Sequence, residues 1–120
     1  MVTIDQLKLP PHHLDAEKGV LAGVFLDNEM MYMYESIALT APDFYQREHG
    51  FIFSAMLQLR DKRKTLDAVT VSNMLKKNDT LDDVGGIDYL YELSTFLLTT
   101  SSCPEYAQIV KEKSTLRSIL

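Results

Sequence analysis

FYQREHGFIFSAMLQL, residues 44–59, decides the fold, and VGGIDYLYEL, residues 84–93, completes it. In the first stretch Phe53, Met56, Leu57 and the aliphatic stem of Arg60 recur at helical spacing, which predicts a central core helix from about Gln46 to Lys62. Gly50 falls inside it and weakens it slightly. In the second stretch Gly85 and Gly86 punctuate the chain before a new apolar period at Ile87, Leu90, Tyr91 and Leu98, so they predict a hinge feeding a helix that ends near Phe96 or Leu98. Neither stretch carries chemistry, and the functional reading turns toward packing, assembly and partners.

Working outward toward the N-terminus, Ala41-Pro42-Asp43 breaks a preceding helix and offers Asp43 as a cap for the central one. That preceding helix is expected from about Glu29 to Leu39, with Met30, Met33, Tyr34 and Ile37 as its buried stripe. Met31 and Tyr32 then fall on another face, where soft and amphipathic side chains suit an adaptable contact surface. Before it, a helix begins at His12 or His13 and runs to Leu26 with Leu14, Leu21, Val24 and Phe25 along one face. Gly19 and Gly23 stand four apart on it, a smooth notch that costs about 1 kcal/mol per glycine in helix propensity and suits close approach of a neighbouring helix. Residues 1–11, closed by Pro10-Pro11, read as a flexible lead-in.

Toward the C-terminus, Asp67 is the expected N-cap of a helix through Val71, Met74 and Leu75 that stops near Asn78. After the glycine hinge, Thr99–Ser102 is a small polar linker, and Ser102 with Glu105 spells a capping box with Pro104 in the first turn. The last helix carries Tyr106, Ile109, Val110, Leu116 and Leu120 and reaches the final residue without a stop signal, as a helix cut short would. No strand alternation of useful length appears, and the β-branched patch at Ala68–Ser72 is too short to oppose an all-α class. The expected architecture is a small orthogonal bundle of about six helices, with residues 12–98 as its globular part and residues 99–120 as linker and truncated helix.

Composition narrows the function classes. A chain of 120 residues with 46% hydrophobic content supports one core without staples. Cys103 is the one cysteine and reads as an inert loop thiol, and without an apolar run of membrane length the expected setting is the cytoplasm. The net charge of −5 opposes unassisted binding to nucleic acid, whose affinity rests on Lys and Arg. There is no G-x-x-x-x-G-K-[ST] phosphate loop, no G-x-S-x-G elbow, no H-E-x-x-H and no C-x-x-C, so no catalytic, cofactor-binding or metal-ligating residue is assigned. His12 and His13 would point about 100° apart on a helix, an awkward pair for a metal, and His49 reads as a packed or solvent-facing residue. A nucleic-acid module using the Gly-Gly loop with Lys111, Lys113 and Arg117 is the alternative reading; Asp79, Asp82, Asp83 and Asp88 around that loop oppose it.

The order P-P-H-x-x-x-A-E-x-x-V-L-x-G-x-x-L-D-N from Pro10 to Asn28 and D-F-Y-x-R-x-H-x-x-I-F-x-A-M-x-x-L from Asp43 to Leu59 resembles the N-terminal domain of bacterial replicative DNA helicases of the DnaB type. L-D-A-V-T-V from Leu66, L-D-D-V-G-G-I-D-Y-L-Y-E-L from Leu81 and Y-A-Q-I-V-K-E-K-S-T-L-R from Tyr106 continue the resemblance in the same order. It implies a small helical domain preceding an ATPase motor that lies outside this sequence, where ATP and Mg would be bound. It further implies a collar of a homohexameric ring, docking of a DnaG-type primase and in some members a loader, and contact with DNA only through the whole ring. A helical hairpin makes much of the dimer contact in that family, so a chain ending at Leu120 is expected to form dimers at most, with no membrane role.

On that reading Gly19, Gly23, Phe53, Met56, Leu57, Gly85 and Gly86 are structural, and Met31, Tyr32, Ile87, Tyr106, Ile109 and Leu116 are candidate contact residues. Gly19, the methionine- and tyrosine-rich Met30–Tyr34 and Ser102-Cys103-Pro104 depart from the family's usual wording, which bears on partner choice rather than fold.

Overall fold

A computed structural model describes residues 9–120; most of the expected lead-in, residues 1–8, lies outside the described residues. The described chain forms six α-helices and one 3-10 turn, with no strand: α1 (Leu14–Leu26), α2 (Met30–Ser36), the turn Ala41–Asp43, α3 (Arg47–Asp61), α4 (Ala68–Lys77), α5 (Gly86–Ser94) and α6 (Cys103–Ser118). Their starts follow local chemistry. His13 caps α1, its Nδ1 accepting the Ala16 N–H at 3.1 Å. Asp67 caps α4 as expected: its carboxylate accepts the Thr70 N–H at 2.8 Å while the Thr70 hydroxyl accepts the Asp67 N–H at 3.0 Å. Gly85 and Gly86, at φ +99° and +72°, turn the chain into α5 through backbone conformations that a side chain makes costly.

The core is shared between two helices. α3 buries Ile52, Phe53, Ala55, Met56 and Leu59 and packs on α4, the 3-10 turn and α1. α1 has the wider set of neighbours, packing on α2, α3, α5 and α6, and it is buried almost all round from Ala16 to Val24. A helix enclosed on every side is a central one, so α1 shares the organising role expected of α3 alone. Each fully buried Val, Leu, Ile, Phe or Met contributes about 1.5–3 kcal/mol, and Val20, Leu21, Val24, Ile52, Phe53 and Met56 supply that from these two helices.

The notch on α1 is filled as its small residues allow. A Cβ at Gly19 would lie 2.4 Å from Tyr106, and one at Gly23 would lie 2.4 Å from the Cys103 sulfur and 2.9 Å from the Tyr34 hydroxyl. Both glycines therefore admit the first turns of α6, and the Tyr34 hydroxyl donates to the Val20 carbonyl at 2.7 Å beneath them.

Several expectations are corrected. Met31 is buried with Tyr34 in the core, because α2 is a short helix of seven residues whose i, i+3 pair faces inward, while Met30, Met33 and Ile37 are half-buried. Leu14 is 38% exposed at the first turn of α1, and Val20 takes the core place assigned to it. Leu57 is half-buried at the edge of the core. In α5 the inward residues are Leu90 and Leu93, an i, i+3 pair; Tyr91 and Leu98 face solvent, and α5 ends at Ser94, before Leu98 is reached. Asp43 does not cap α3, and Ser102 makes no side-chain cap for α6. Cys103 is the first residue of α6 and fully buried; burial pushes its thiol above the ordinary range, with the Tyr34 hydroxyl opposing in part.

Candidate functional site

Two of the polar side chains buried among the described residues, Glu17 and His49, are tied to each other. Glu17, on α1, reaches across to the residues that lead into α3: its carboxylate accepts the Tyr45 N–H at 2.7 Å, the Gln46 N–H at 3.2 Å and His49 Nδ1 at 2.8 Å. A carboxylate only accepts, so His49 Nδ1 donates to Glu17, while Nε2 makes a hydrogen bond with the Tyr89 hydroxyl at 2.6 Å. His49 and Tyr89 also stack, with ring centroids 5.9 Å apart. Burial first, and then the carboxylates of Glu92, Glu17 and Glu48, push the Tyr89 phenol up to about 12. The three side chains join α1, α3 and α5 through hydrogen bonds and ring stacking.

A second set holds α6. Asp43 accepts from the Thr40 N–H at 2.7 Å, the Ser114 hydroxyl at 2.6 Å and the Lys111 ammonium at 3.1 Å. Lys111 also donates to the Ala38 carbonyl at 2.9 Å. Arg117 donates to the carbonyls of Pro11 at 2.8 Å and Asp43 at 2.6 Å and lies over Tyr45, which stacks in turn on His12. Lys111 and Arg117, two of the three cations in the nucleic-acid reading, are thus engaged inside the molecule; Lys113 is half-buried without an ion pair among the described residues. The glycine loop borders a concavity lined by Lys76, Asp79, Leu81, Asp82 and Asp83, where carboxylates outnumber the one cation and repel phosphate.

The candidate contact residues occupy different surfaces. Tyr32 is 59% exposed and borders a notch with Arg60, Arg63 and Lys64. Ile87 is half-buried at the start of α5. Tyr106 covers Gly19, and Leu116 lies exposed near Ile119 and Leu120 at the far end of α6. Ile109 is half-buried between α6 and α2, in an open concavity of about 620 Å³ shared with Met33, Ile37, Glu105, Gln108 and Glu112. Among the described residues no group of three or more His, Cys, Asp or Glu is placed to hold a metal, and no helix is long and apolar enough to cross a membrane. Sequence reasoning named Ile109 as a contact residue and Asp43 as a cap, but did not find the bonds made by Glu17 and Asp43 or the groove that Ile109 shares with Met33 and Ile37.

The described residues thus form an all-helical domain whose Glu17 and Asp43 carboxylates are engaged by internal hydrogen bonds. Comparison with known proteins places it further. The DnaB-like helicase N terminal domain family matches residues 9–112. The chain is 38% identical over 113 residues to the replicative DNA helicase DnaC of Bacillus subtilis and 39% identical over 113 residues to the replicative DNA helicase DnaB of Geobacillus stearothermophilus, in each case over 94% of this chain and 25% of the relative. Its fold matches the crystal structure of the N-terminal domain of DnaB helicase from Mycobacterium tuberculosis with a TM-score of 0.86 and 35% identity, over 91% of this chain and 75% of that one. The chain belongs to the DnaB-like helicase N-terminal domain family, and it spans about a quarter of the length of the curated relatives it matches.

Proposed function

We propose that this chain is the collar and docking domain of a hexameric replicative DNA helicase, mediating self-association and the attachment of primase or a loader protein during DNA replication. The family match across residues 9–112 carries the reading. It is supported by a fold in which the Glu17 carboxylate, the His49 imidazole and the Tyr89 phenol hydrogen-bond to each other and tie three helices together. On this reading the motor that binds ATP and Mg belongs to another part of the parent protein, and the chain itself neither hydrolyses ATP nor grips DNA.

The direct experiment is a titration of the C-terminal domain of the cognate primase into this chain, followed by calorimetry; saturable binding is expected, and its absence with a folded chain overturns the primase assignment. Sedimentation equilibrium should find monomers and dimers, and a stable hexamer at micromolar concentration would contradict the expectation that this chain alone cannot close a ring. Single-stranded DNA binding with a steep loss of affinity in salt would favour the nucleic-acid reading instead.

A further inference from the structure

The groove between α2 and α6 combines an apolar floor with an acidic rim. Its floor is aliphatic and methionine-lined: Met33 on α2 and Ile37 just past its end line it with Ile109 on α6, and all three are half-buried against the core rather than covered. Its rim is acidic. Glu105 and Glu112 stand seven residues apart on α6, which places them on the same side of the helix about 10 Å apart, with Gln108 between them. Neither glutamate makes an ion pair or accepts a side-chain hydrogen bond among the described residues, in contrast to Glu17 and Asp43.

From this geometry we infer that the groove is a docking site for an amphipathic helix of a partner protein, one that presents aliphatic residues on a single face with lysines or arginines flanking them. The assignment rests on the reading of the domain as a docking module and specifies the chemistry of what docks. Helices lie in apolar grooves through anchors at i, i+3 and i+4, and the aliphatic floor supplies contacts for such anchors. A methionine in the floor adapts to differing partner side chains. The paired carboxylates fix the charge: cations at i and i+7 of an incoming helix match their spacing, whereas an acidic helix would be repelled at both ends of the groove. The methionine-rich run 30–34 thereby divides its work, Met31 filling the core and Met33 facing the groove.

The test uses the full 120-residue chain and two fluorescent, alanine-based helical peptides, one with two leucines set between lysines spaced i, i+7, the other with glutamates replacing the lysines. Anisotropy should show binding of the basic peptide that weakens as salt rises, and little binding of the acidic one. Both glutamates are exposed, so the double variant Glu105→Lys with Glu112→Lys retains the fold by circular dichroism. It should bind the basic peptide about tenfold more weakly, the size expected when two rim charge pairs turn repulsive, and should gain affinity for the acidic peptide. Equal binding of the basic peptide to both proteins, or none to the wild type at millimolar concentration, overturns the inference. A wild-type dimer that the double variant abolishes would show that a second copy occupies the groove and overturns it equally. Primase titration separates this from the broader reading: primase binding unaffected by the double variant removes the groove but leaves docking standing. Peptide binding without primase binding does the reverse.

Discussion

Two carboxylates, Glu17 and Asp43, hold the ends of the same short connector, and they do so by different physics. Glu17 comes from α1 and pairs with no lysine or arginine among the described residues; its buried carboxylate accepts two backbone N–H groups at the entrance to α3 and the imidazole of His49. Its charge sits where the N-terminal pole of α3 favours it. Asp43 belongs to the connector itself and faces α6, where it gathers Lys111, Ser114 and the backbone of Thr40 near the surface. One acid joins three helices through the core, and the other tethers the C-terminal half of α6 to the connector. Their loss should therefore differ in both size and place.

The largest effect is expected for Glu17→Ala. Removing the carboxylate leaves His49 Nδ1 and the N–H groups of Tyr45 and Gln46 without their acceptor, and a buried donor left unsatisfied costs about 1–3 kcal/mol, so three such donors should together cost more than any other single change considered. Urea denaturation should show the loss as a lower midpoint, with hydrogen exchange accelerating in α1, α3 and α5 together, because His49 is no longer held in line with Tyr89. A loss below about 1 kcal/mol would mean that water replaces the carboxylate, a cost typical of an exposed group.

Asp43→Ala should cost less, about 2 kcal/mol, since its partners lie closer to solvent and rehydrate. Hydrogen exchange should rise mainly in α6 and the Ala41–Asp43 turn. Acid reaches the same contact without mutation. Burial works to raise the Asp43 carboxyl, but hydrogen bonds from Ser114, Thr40 and Lys111 lower it further, so its folded value lies below the ordinary carboxylate range. The folded state then binds fewer protons than the unfolded one. The contribution is complete above the unfolded value of about 3.9 and fades as pH falls through the lower folded value. Stability curves of wild type and Asp43→Ala should thus converge below about pH 4, and parallel curves there would sink the assignment.

Neither acid was legible in the sequence, for a reason that differs from what made the helices legible. The boundaries of α3, α4 and α5 are written locally, in Asp67 as a cap, in Gly85-Gly86 as a turn and in the spacing of Phe53 and Met56. The Gly19 and Gly23 notch was legible as small residues one turn apart, although not that Tyr106 and Cys103 fill it. Glu17 looks like any solvated acid in the first turns of an amphipathic helix, and its partners are 28 to 32 residues away. Asp43 looked like a cap for α3, when its carboxylate instead meets residues 68 and 71 positions later. Met31 was misplaced because one periodic stripe was fitted to a helix too short to define one, and the family resemblance, which located the domain, says nothing of such contacts.

The smallest effect separates the two parts of the Asp43 site. In Lys111→Met the ion pair and the Lys111 bond to Ala38 are removed, while Ser114 and Thr40 remain on the carboxylate. The lysine side chain is about one third exposed, so salt and water already screen much of the attraction, and methionine retains the aliphatic stem. A loss of about 0.5–1 kcal/mol is expected, and it should shrink as ionic strength rises because the wild type loses the same attraction to screening. If instead Lys111→Met matches Asp43→Ala in size and ignores salt, the ammonium is the main anchor of α6, and the near-surface acid is as dependent on a charged partner as Glu17 is on buried hydrogen bonds.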